Sequence, residues 1–248
     1  MRDIDSDQPH RYFFVHMQKT AGMALRQRLI NHFGEAAVYP TRDVDGTDLV
    51  QLLLSVDDLI ERIAARGQEI RVITGHFPLC TTEVIGGRFT TLTLLREPVE
   101  RTLSYLRHHR ERRPSDRHKS LEELYEDPFW FHGVAHNHMT KMLSLRPAEM
   151  KGGMLTRVEF DHDRLDRAKE VLAGMDAVGL QERFEDFCDE LSARFGWHLG
   201  GSEIVNASAP VEVPESFRAR IAEDNALDIE LYEFAQRLLA TETAGVGR

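Results

Sequence analysis

Three short segments carry side chains that can bind or transfer an anionic group. The first reads Gln-Lys-Thr-Ala-Gly at positions 18–22, between an apolar run and a run with helical spacing. Free N–H groups at the start of a helix, together with the helix dipole, favour a bound anion. Lys19 adds a positive charge and Thr20 a hydroxyl. The segment therefore predicts a phosphate site. It is not a Walker A loop, since its glycine follows the lysine.

The second segment places Arg96 directly after the apolar run 90–95, with Ser104 about two turns along the helix that follows. An arginine at the end of a buried strand is costly to bury without an anionic partner, and its planar donors suit a phosphate. Ser104 can offer a hydroxyl to the same group. The alternative is a structural ion pair between Arg96 and Glu97 or Glu100.

The third segment is Thr-Gly-His-Phe-Pro at positions 74–78. A histidine just past the end of a strand can act as a general base near neutral pH. His76 is thus a candidate catalytic base, and a purely structural histidine is the alternative.

The elements that position these segments follow from hydrophobic periodicity. The pattern predicts strands over 11–16, 70–74, 90–95 and 177–180, with a short strand over 36–39. It predicts helices over 22–33, 58–66 (capped by Asp57 or Asp58), from Pro98 onward, over 119–126, 136–145, 163–174 and 182–195, and one long final helix from Pro214 to about Thr241. Alternating strands and helices indicate an α/β fold with a mostly parallel central sheet flanked by helices. Such sheets bind ligands beyond the carboxyl ends of their strands, so we expect the three segments to meet in one crevice.

Length and composition predict one domain over residues 1–248, with flexible tails at 1–10 and 242–248. The chain has 248 residues, of which 42% are hydrophobic and 29% charged. No apolar stretch is long enough to span a membrane, and the polar N-terminus is unlike a signal peptide. Two widely separated cysteines and no leader favour a cytoplasmic protein. The twelve histidines show no metal-binding spacing, so we predict no metal.

The net charge of −10 argues against a nucleic-acid partner. Residues 107–119 are an exception, with six Lys or Arg residues against two acidic ones. This basic segment either focuses an anionic ligand or forms a solvated helix end.

Together, the three segments resemble sulfotransferases that use 3′-phosphoadenosine 5′-phosphosulfate (PAPS), most nearly the carbohydrate branch with the heparan sulfate 2-O- and 6-O-sulfotransferases. The Lys-Thr turn resembles the loop that binds the 5′-phosphosulfate end in that branch. The pattern Arg-x-Pro-x-x-Arg-x-x-Ser-x-Tyr, complete from Arg96 to Tyr105, resembles its 3′-phosphate motif. Gly75-His76 resembles the turn that supplies the base in the 2-O enzymes. Weaker likenesses lie at 137–143, 177–184, Asn206 and 225–232.

The resemblance implies a P-loop-like sulfotransferase fold that transfers a sulfuryl group from PAPS to a hydroxyl or amine of a carbohydrate or small-metabolite acceptor. The product would be 3′-phosphoadenosine 5′-phosphate (PAP). Lys19 and His76 would be catalytic, and Arg96 and Ser104 would hold the 3′-phosphate. The remaining donor contacts would come from Lys19, Thr20, Ala21, Gly22, Met23 and Ala24.

The chain departs from the family pattern within this loop. Gln18 replaces a proline, and Met23 and Ala24 replace residues that commonly carry hydroxyls. Each lost hydrogen bond to a charged group is worth roughly 1.5–3 kcal/mol. A non-catalytic nucleotide-binding or sensing protein is therefore an alternative. A nucleotide phosphotransferase is another alternative. The missing Gly-Lys-Ser/Thr order and the lack of an obvious magnesium-binding carboxylate argue against it.

Overall fold

A computed structural model describes residues 10–150, 152–201 and 212–245. The resemblance at Asn206 and the expected tails at 1–9 and 246–248 lie outside these residues. The last helix continues to Gly245, four residues into the segment that we expected to be a tail.

The fold is built on a five-stranded sheet in which every strand pair is parallel, in the order β2-β3-β1-β4-β5. The strands are β1 (Arg11–Val15), β2 (Val38–Tyr39), β3 (Val72–Ile73), β4 (Phe89–Leu95) and β5 (Ala177–Leu180). The predicted α/β class and parallel sheet are confirmed. After β1 the chain continues to β2, towards one edge of the sheet, and after β4 it continues to β5, towards the opposite edge. A crevice therefore opens between the carboxyl ends of β1 and β4, where ligands bind in sheets of this type.

Thirteen α-helices are present in the described ranges. They are α1 (Gly22–Phe33), α2 (Arg42–Asp45), α3 (Leu49–Leu54), α4 (Val56–Arg66), α5 (Thr81–Ile85), α6 (Pro98–Arg112), α7 (Leu121–Tyr125), α8 (Pro128–Trp130), α9 (His138–Ser144), α10 (His162–Ala173), α11 (Phe184–Phe195), α12 (Glu215–Asp224) and α13 (Ala226–Gly245). Short 3₁₀ helices cover Glu35–Ala37, Pro114–Asp116, Pro147–Glu149, Gly153–Leu155 and Gln181–Arg183, and a π-helix covers Phe131–Ala135.

A hydrophobic core lies on each face of the sheet because side chains alternate along each strand. Phe13 and Val15 point into the larger core, which includes residues of α6, α9, α10 and α13. Phe14 points to the opposite face, where α1 and α11 contribute Leu25 and Leu191. Helices from both halves of the chain thus pack against the same sheet.

Three helix predictions differ from the structure. Residues 34–56, expected to be irregular beyond a short strand, also form α2 and α3. The cap of α4 is Ser55, whose side chain accepts from the N–H of Asp58, so that the helix begins before either predicted cap. The predicted helix 182–195 begins as a 3₁₀ turn and becomes α-helical at Phe184.

The single long C-terminal helix is also wrong, because the chain breaks into α12 and α13 at Asn225. The Asn225 side chain is fully buried and donates to the carbonyl of Ile221 at 2.9 Å. Its Oδ1 accepts from the N–H of Asn137 at 2.8 Å. The Asn137 Oδ1 in turn accepts from the N–H of Asp228 at 3.0 Å. Polar contacts from a distant segment therefore outweigh continued helical hydrogen bonding here.

Asp228 joins this network to two buried cations. Its carboxylate accepts from the N–H groups of Met139 and Thr140 at 3.0 and 2.7 Å, at the start of α9. Arg101 and Lys141 are fully buried beside it. Burial, and then the charge of Arg101, lower the pKa of Lys141 to about 7, while Asp228 acts in the opposite direction.

We expect Asp228→Ala to lower the free energy of unfolding by about 3–5 kcal/mol, because it leaves buried N–H groups and buried cations without their partner. Urea denaturation measures this change. Asp228→Asn, which keeps one acceptor oxygen, should lower the free energy of unfolding by less than Asp228→Ala. Removal of the exposed Asp189 on α11 should change stability by only about 0.5 kcal/mol. Equal effects at Asp228 and Asp189 would contradict the role of the network.

Candidate active site

The three predicted segments meet at the carboxyl end of β1, because β3 and β4 are its two neighbours in the sheet. The Nδ1 atom of His76 lies 2.7 Å from the carbonyl oxygen of His16. On the other side, Nη1 of Arg96 donates to the carbonyl oxygen of Lys19 at 3.1 Å. Segments 74–78 and 96–104 are thus attached on opposite sides of residues 17–24, which we call the Lys–Thr loop. The three segments therefore lie next to one another, as the strand order requires.

The backbone of the Lys–Thr loop is shaped to receive an anion. Lys19 and Ala21 both have φ of 68°, in the left-handed region, on either side of Thr20. Alternating left- and right-handed residues turn successive N–H groups towards one concavity, which binds anions. No described residue accepts a backbone hydrogen bond from Ala21, Gly22 or Met23. The N–H of Ala24, by contrast, donates to the carbonyl of Ala21 at 3.0 Å.

A buried histidine supports the loop from beneath. The His16 ring is stacked on Phe14, and its Nδ1 lies 3.0 Å from the carbonyl oxygen of Thr74. A Cβ atom on Gly22 would lie 2.0 Å from Cδ2 of this ring. Position 22 therefore requires glycine, because the backbone approaches the imidazole too closely for any side chain.

The side chains of the loop point in different directions. Thr20 is fully buried, and its hydroxyl donates to the carbonyl of Met17 at 3.0 Å. That hydroxyl stabilises the turn. Met23 is 49% exposed at the first turn of α1, and Ala24 is partly buried beside it. The groups of the loop that could bind an anion are thus its N–H groups and Lys19.

Lys19 and Arg96 are partly buried and carry charges that no carboxylate of the described chain neutralises by direct contact. No described residue accepts a hydrogen bond from the Lys19 ammonium. Glu97 is occupied as the cap of α6, accepting two N–H groups of the first turn at 3.1 and 2.7 Å. Glu100 is bound by Arg218 at 2.6 Å. The alternative of a structural ion pair between Arg96 and either glutamate is therefore not observed.

Sequence reasoning missed further cations on α6. Burial is the largest cause that lowers the pKa of Lys19, followed by the charge of Arg96, with Arg112 and Arg107 adding to it. Arg107 is 9% exposed, and its Nε has no hydrogen-bond partner among the described residues. The spacing places Arg107 on the same helix face as Ser104, but it does not show that this face lies near Lys19.

The basic segment 107–119 was expected either to focus an anionic ligand or to form a solvated helix end, and its residues divide between these two roles. Arg107, His108 and Arg112 lie near Lys19, as their mutual effects on pKa indicate. Arg113 instead lies over the Trp130 ring at 4.9 Å, and Lys119 pairs with Asp116 at 2.8 Å. The residues that interact with Lys19 thus come from the first half of the segment.

Two members of the Arg-to-Tyr pattern are structural. Arg101 is fully buried and donates to the carbonyls of Val134 and Ala135 at 2.9 and 3.1 Å. Tyr105 belongs to the larger core and lies against His109 and Trp130. Ser104 is 8% exposed and lies on α6 three residues before Arg107.

His76 is held in one orientation by its bond to the carbonyl of His16. Since a carbonyl oxygen only accepts, Nδ1 carries the proton, and the neutral ring offers Nε2 as a base. Burial lowers the pKa of His76 to about 4, and its hydrogen bond to His16 acts in the opposite direction. The structure therefore differs from the expectation of a histidine that titrates near neutral pH. His76 is an uncharged acceptor at pH 7.

No protein-family model matches the chain, and none of the curated proteins matches its sequence.

Within the described ranges, no group of three or more His, Cys, Asp or Glu side chains is arranged to hold a metal ion. None of the described helices is both long and apolar enough to cross a membrane. His138 and Met139, in the weaker likeness at 137–143, are fully buried and cannot contact an acceptor from solution.

We expect opposite stability changes at neighbouring positions of the Lys–Thr loop. Ala21→Gly should stabilise the protein by about 0.5–1 kcal/mol, because relief of the left-handed penalty exceeds the added entropy of the unfolded chain. Gly22→Ala should destabilise it by about 1–3 kcal/mol through collision with His16. Urea denaturation reports both values. Ala24→Gly, inside α1, is the control and should lower the free energy of unfolding by about 0.5–1 kcal/mol. Destabilisation by Ala21→Gly would contradict the loop geometry.

Proposed function

We propose that this protein transfers a sulfuryl group from PAPS to a hydroxyl of an acceptor, on a P-loop-like sulfotransferase fold. The observation that carries the proposal is that Arg96 bonds to the backbone of the loop that holds Lys19, next to N–H groups of Ala21, Gly22 and Met23 from which no described residue accepts a hydrogen bond. Neither cation is neutralised by a described carboxylate in contact with it. A ligand with two separate anionic groups would compensate both.

The Lys–Thr loop would hold the 5′ end of the donor. The N–H groups of Ala21, Gly22 and Met23 are available for a phosphate, and the N-terminus of α1 adds its dipole. Thr20 would contribute by keeping the turn closed, and Ala24 by its place in the first helical turn. The exposed Met23 side chain replaces a hydroxyl contact with apolar surface.

Arg96, Ser104 and Arg107 would hold the 3′-phosphate. Arg96 reaches the loop from the end of β4, and the other two lie on one face of α6. The unpartnered Nε of the buried Arg107 is an additional donor for this group. Recognition of a 3′-phosphate would distinguish the donor from ordinary adenine nucleotides.

His76 and Lys19 would act on the two sides of the transferred group. Nε2 of His76 would accept the proton of the acceptor hydroxyl as its oxygen bonds to sulfur. The bond from sulfur to the bridging oxygen of the 5′-phosphate breaks, and its electron pair stays on that oxygen. Lys19 would stabilise the negative charge that develops there. Most of the rate enhancement would come from positioning and electrostatics, as in phosphoryl transfer.

A non-catalytic nucleotide-binding protein is the second candidate. It is favoured by the lack of side-chain hydroxyls that could reach a ligand from the Lys–Thr loop. The Thr20 hydroxyl donates to the carbonyl of Met17, and the side chains of Met23 and Ala24 have no hydroxyl. A nucleotide phosphotransferase would instead require magnesium for nucleotide binding or turnover. We further propose a cytoplasmic location, because both cysteines are free and buried.

Calorimetric titration with PAP, in the presence of a metal chelator, tests the donor site. We expect binding that is at least about tenfold tighter than for adenosine 5′-phosphate, because Arg96 and Arg107 engage the additional phosphate. Arg96→Ala should abolish this preference while leaving adenosine 5′-phosphate binding nearly unchanged.

The matched control is Arg71→Ala, which removes an exposed arginine at the opposite end of the sheet. It should leave the preference for PAP intact. Binding that requires magnesium, or a preference that survives Arg96→Ala, would refute the donor assignment.

Turnover with sulfur-labelled PAPS separates an enzyme from a binding protein. His76→Gln should lower kcat by about 100-fold or more while PAP binding is retained, since only proton transfer is lost. His118→Gln, at an exposed position of the basic segment, should have no effect. Retention of most activity in His76→Gln would remove His76 from the role of base.

The pH profile carries a second signature of His76. Because burial lowers its pKa to about 4 in the free protein, the loss of kcat/KM for the donor that is due to His76 should occur near that pH. Protonation below this value removes the acceptor lone pair on Nε2. The acidic limb of kcat should lie at higher pH, because the negative charges of a bound donor favour the imidazolium.

A further inference from the structure

A cleft of about 580 Å³ lies outside the donor crevice. Its walls are the π-helix Phe131–Ala135, the segment 157–162 and the junction of α12 and α13. We call it the acidic cleft. Its volume is within the range of small-molecule sites in proteins.

One wall of the acidic cleft is aromatic. The His136 ring stacks on Phe131 at 4.9 Å, and Phe160 meets it edge-on at 4.8 Å. His132 lies 6.4 Å from His136 on the same side. Burial is the main cause that lowers the pKa of His136, so this ring is neutral at pH 7. The wall thus offers the rings of His136 and Phe160 to a ligand, and the face of an aromatic ring such as Phe160 attracts cations.

The rim of the acidic cleft is negative. It carries the carboxylates of Glu159, Asp161, Glu223 and Asp224 against the single cation Arg157. Asp161 caps α10, and Asp224 accepts from the Tyr125 hydroxyl at 2.9 Å. The Glu159 and Glu223 side chains are exposed and form no ion pair with a described residue. Two carboxylates are therefore free to receive a ligand.

The aromatic wall is fixed in place by a buried lysine. Nζ of Lys141 donates to the carbonyls of His132 and Gly133 at 2.9 and 2.7 Å. These two bonds hold the π-helix against α9, and with it the rings that line the cleft. The wall is thus formed before any ligand arrives, which lowers the entropic cost of binding.

Chain connectivity links the walls of the acidic cleft to the Lys–Thr loop and to His76. Nε2 of Gln18, in the Lys–Thr loop, contacts the sulfur of Met154 at 3.6 Å. Arg157 follows Met154 by three residues, which places it within about 11 Å along the chain. On the other side, His136 lies two residues before His138, and His138 lies close enough to His76 for their charges to interact.

We propose that the acidic cleft binds the acceptor and selects one that carries a protonated amine, such as an amino sugar. This inference rests on the proposed function of the neighbouring crevice. The free carboxylates and the ring faces favour an ammonium group, whereas a polyanionic glycan would meet repulsion from four carboxylates.

The amine is an anchor in this arrangement and a hydroxyl is the nucleophile. A protonated amine has no lone pair with which to attack sulfur. The hydroxyl oxygen of the anchored acceptor forms the new bond to sulfur, its proton passes to His76, and the bond from sulfur to the donor phosphate breaks.

Calorimetry on the full chain saturated with PAP tests the proposal with two trisaccharides of one sugar skeleton. The probes are the trimer of glucosamine and the trimer of N-acetylglucosamine, compared at about pH 6, where amines are protonated. The aminated trimer should bind about tenfold or more tighter, and trigalacturonate should bind weaker than either. The double variant Glu159→Gln, Glu223→Gln should abolish the preference. Glu61→Gln, at an exposed position of α4, is the matched control and should retain it.

Equal binding of the two trimers, no measurable binding of the aminated trimer, or a preference that survives in the double variant would overturn the proposal. The same titrations without PAP keep this test separate from that of the donor site. Selective binding of the amine by a protein that does not bind PAP would contradict the sulfotransferase assignment and leave the cleft chemistry standing. Normal PAP binding without amine selectivity would contradict the cleft proposal alone.

Discussion

The approach of the Gly22 backbone to the buried His16 ring is the contact on which the rest of the site depends. This contact fixes the position of the Lys–Thr loop relative to the end of β1. The left-handed backbone conformations of Lys19 and Ala21 give the loop its curvature. Bonds from His76 and Arg96 to carbonyls of residues 16 and 19 then fix the segments on either side. Both neighbouring strands thus deliver their functional side chains to one loop.

The buried and partly buried cations of this fold fall into two groups, which differ in the partners that surround them. Arg101 and Lys141 are fully buried, donate to carbonyl oxygens and lie near Asp228, although Nε and Nη1 of Arg101 have no partner among the described residues. These cations are part of the structure. Lys19 and Arg96 are only partly buried, no described carboxylate contacts either of them, and Glu97 and Glu100 bind other groups. This difference in compensation is what separates a binding cation from a structural one, and the sequence pattern that contains Arg96 and Arg101 does not express it.

The elements that could be predicted are those determined by local signals. The apolar runs gave the strands at 11–15 and 89–95, and Pro98 with Glu97 marked the start of α6. The break at Asn225 could not be predicted, because its cause is a hydrogen bond to Asn137, 88 residues away. For the same reason the basic segment 107–119 could not be divided into residues that face Lys19 and residues that pair elsewhere.

The sequence by itself determined the parallel α/β architecture and the three segments that converge at one edge of the sheet, since hydrophobic periodicity and strand ends are local properties. Tertiary structure alone decided the roles within those segments. It buried the Thr20 hydroxyl against Met17, lowered the pKa of His76 by burial, and brought Arg107 beside Lys19. These outcomes depend on desolvation and on distances between residues far apart in the chain, which spacing along a sequence does not encode.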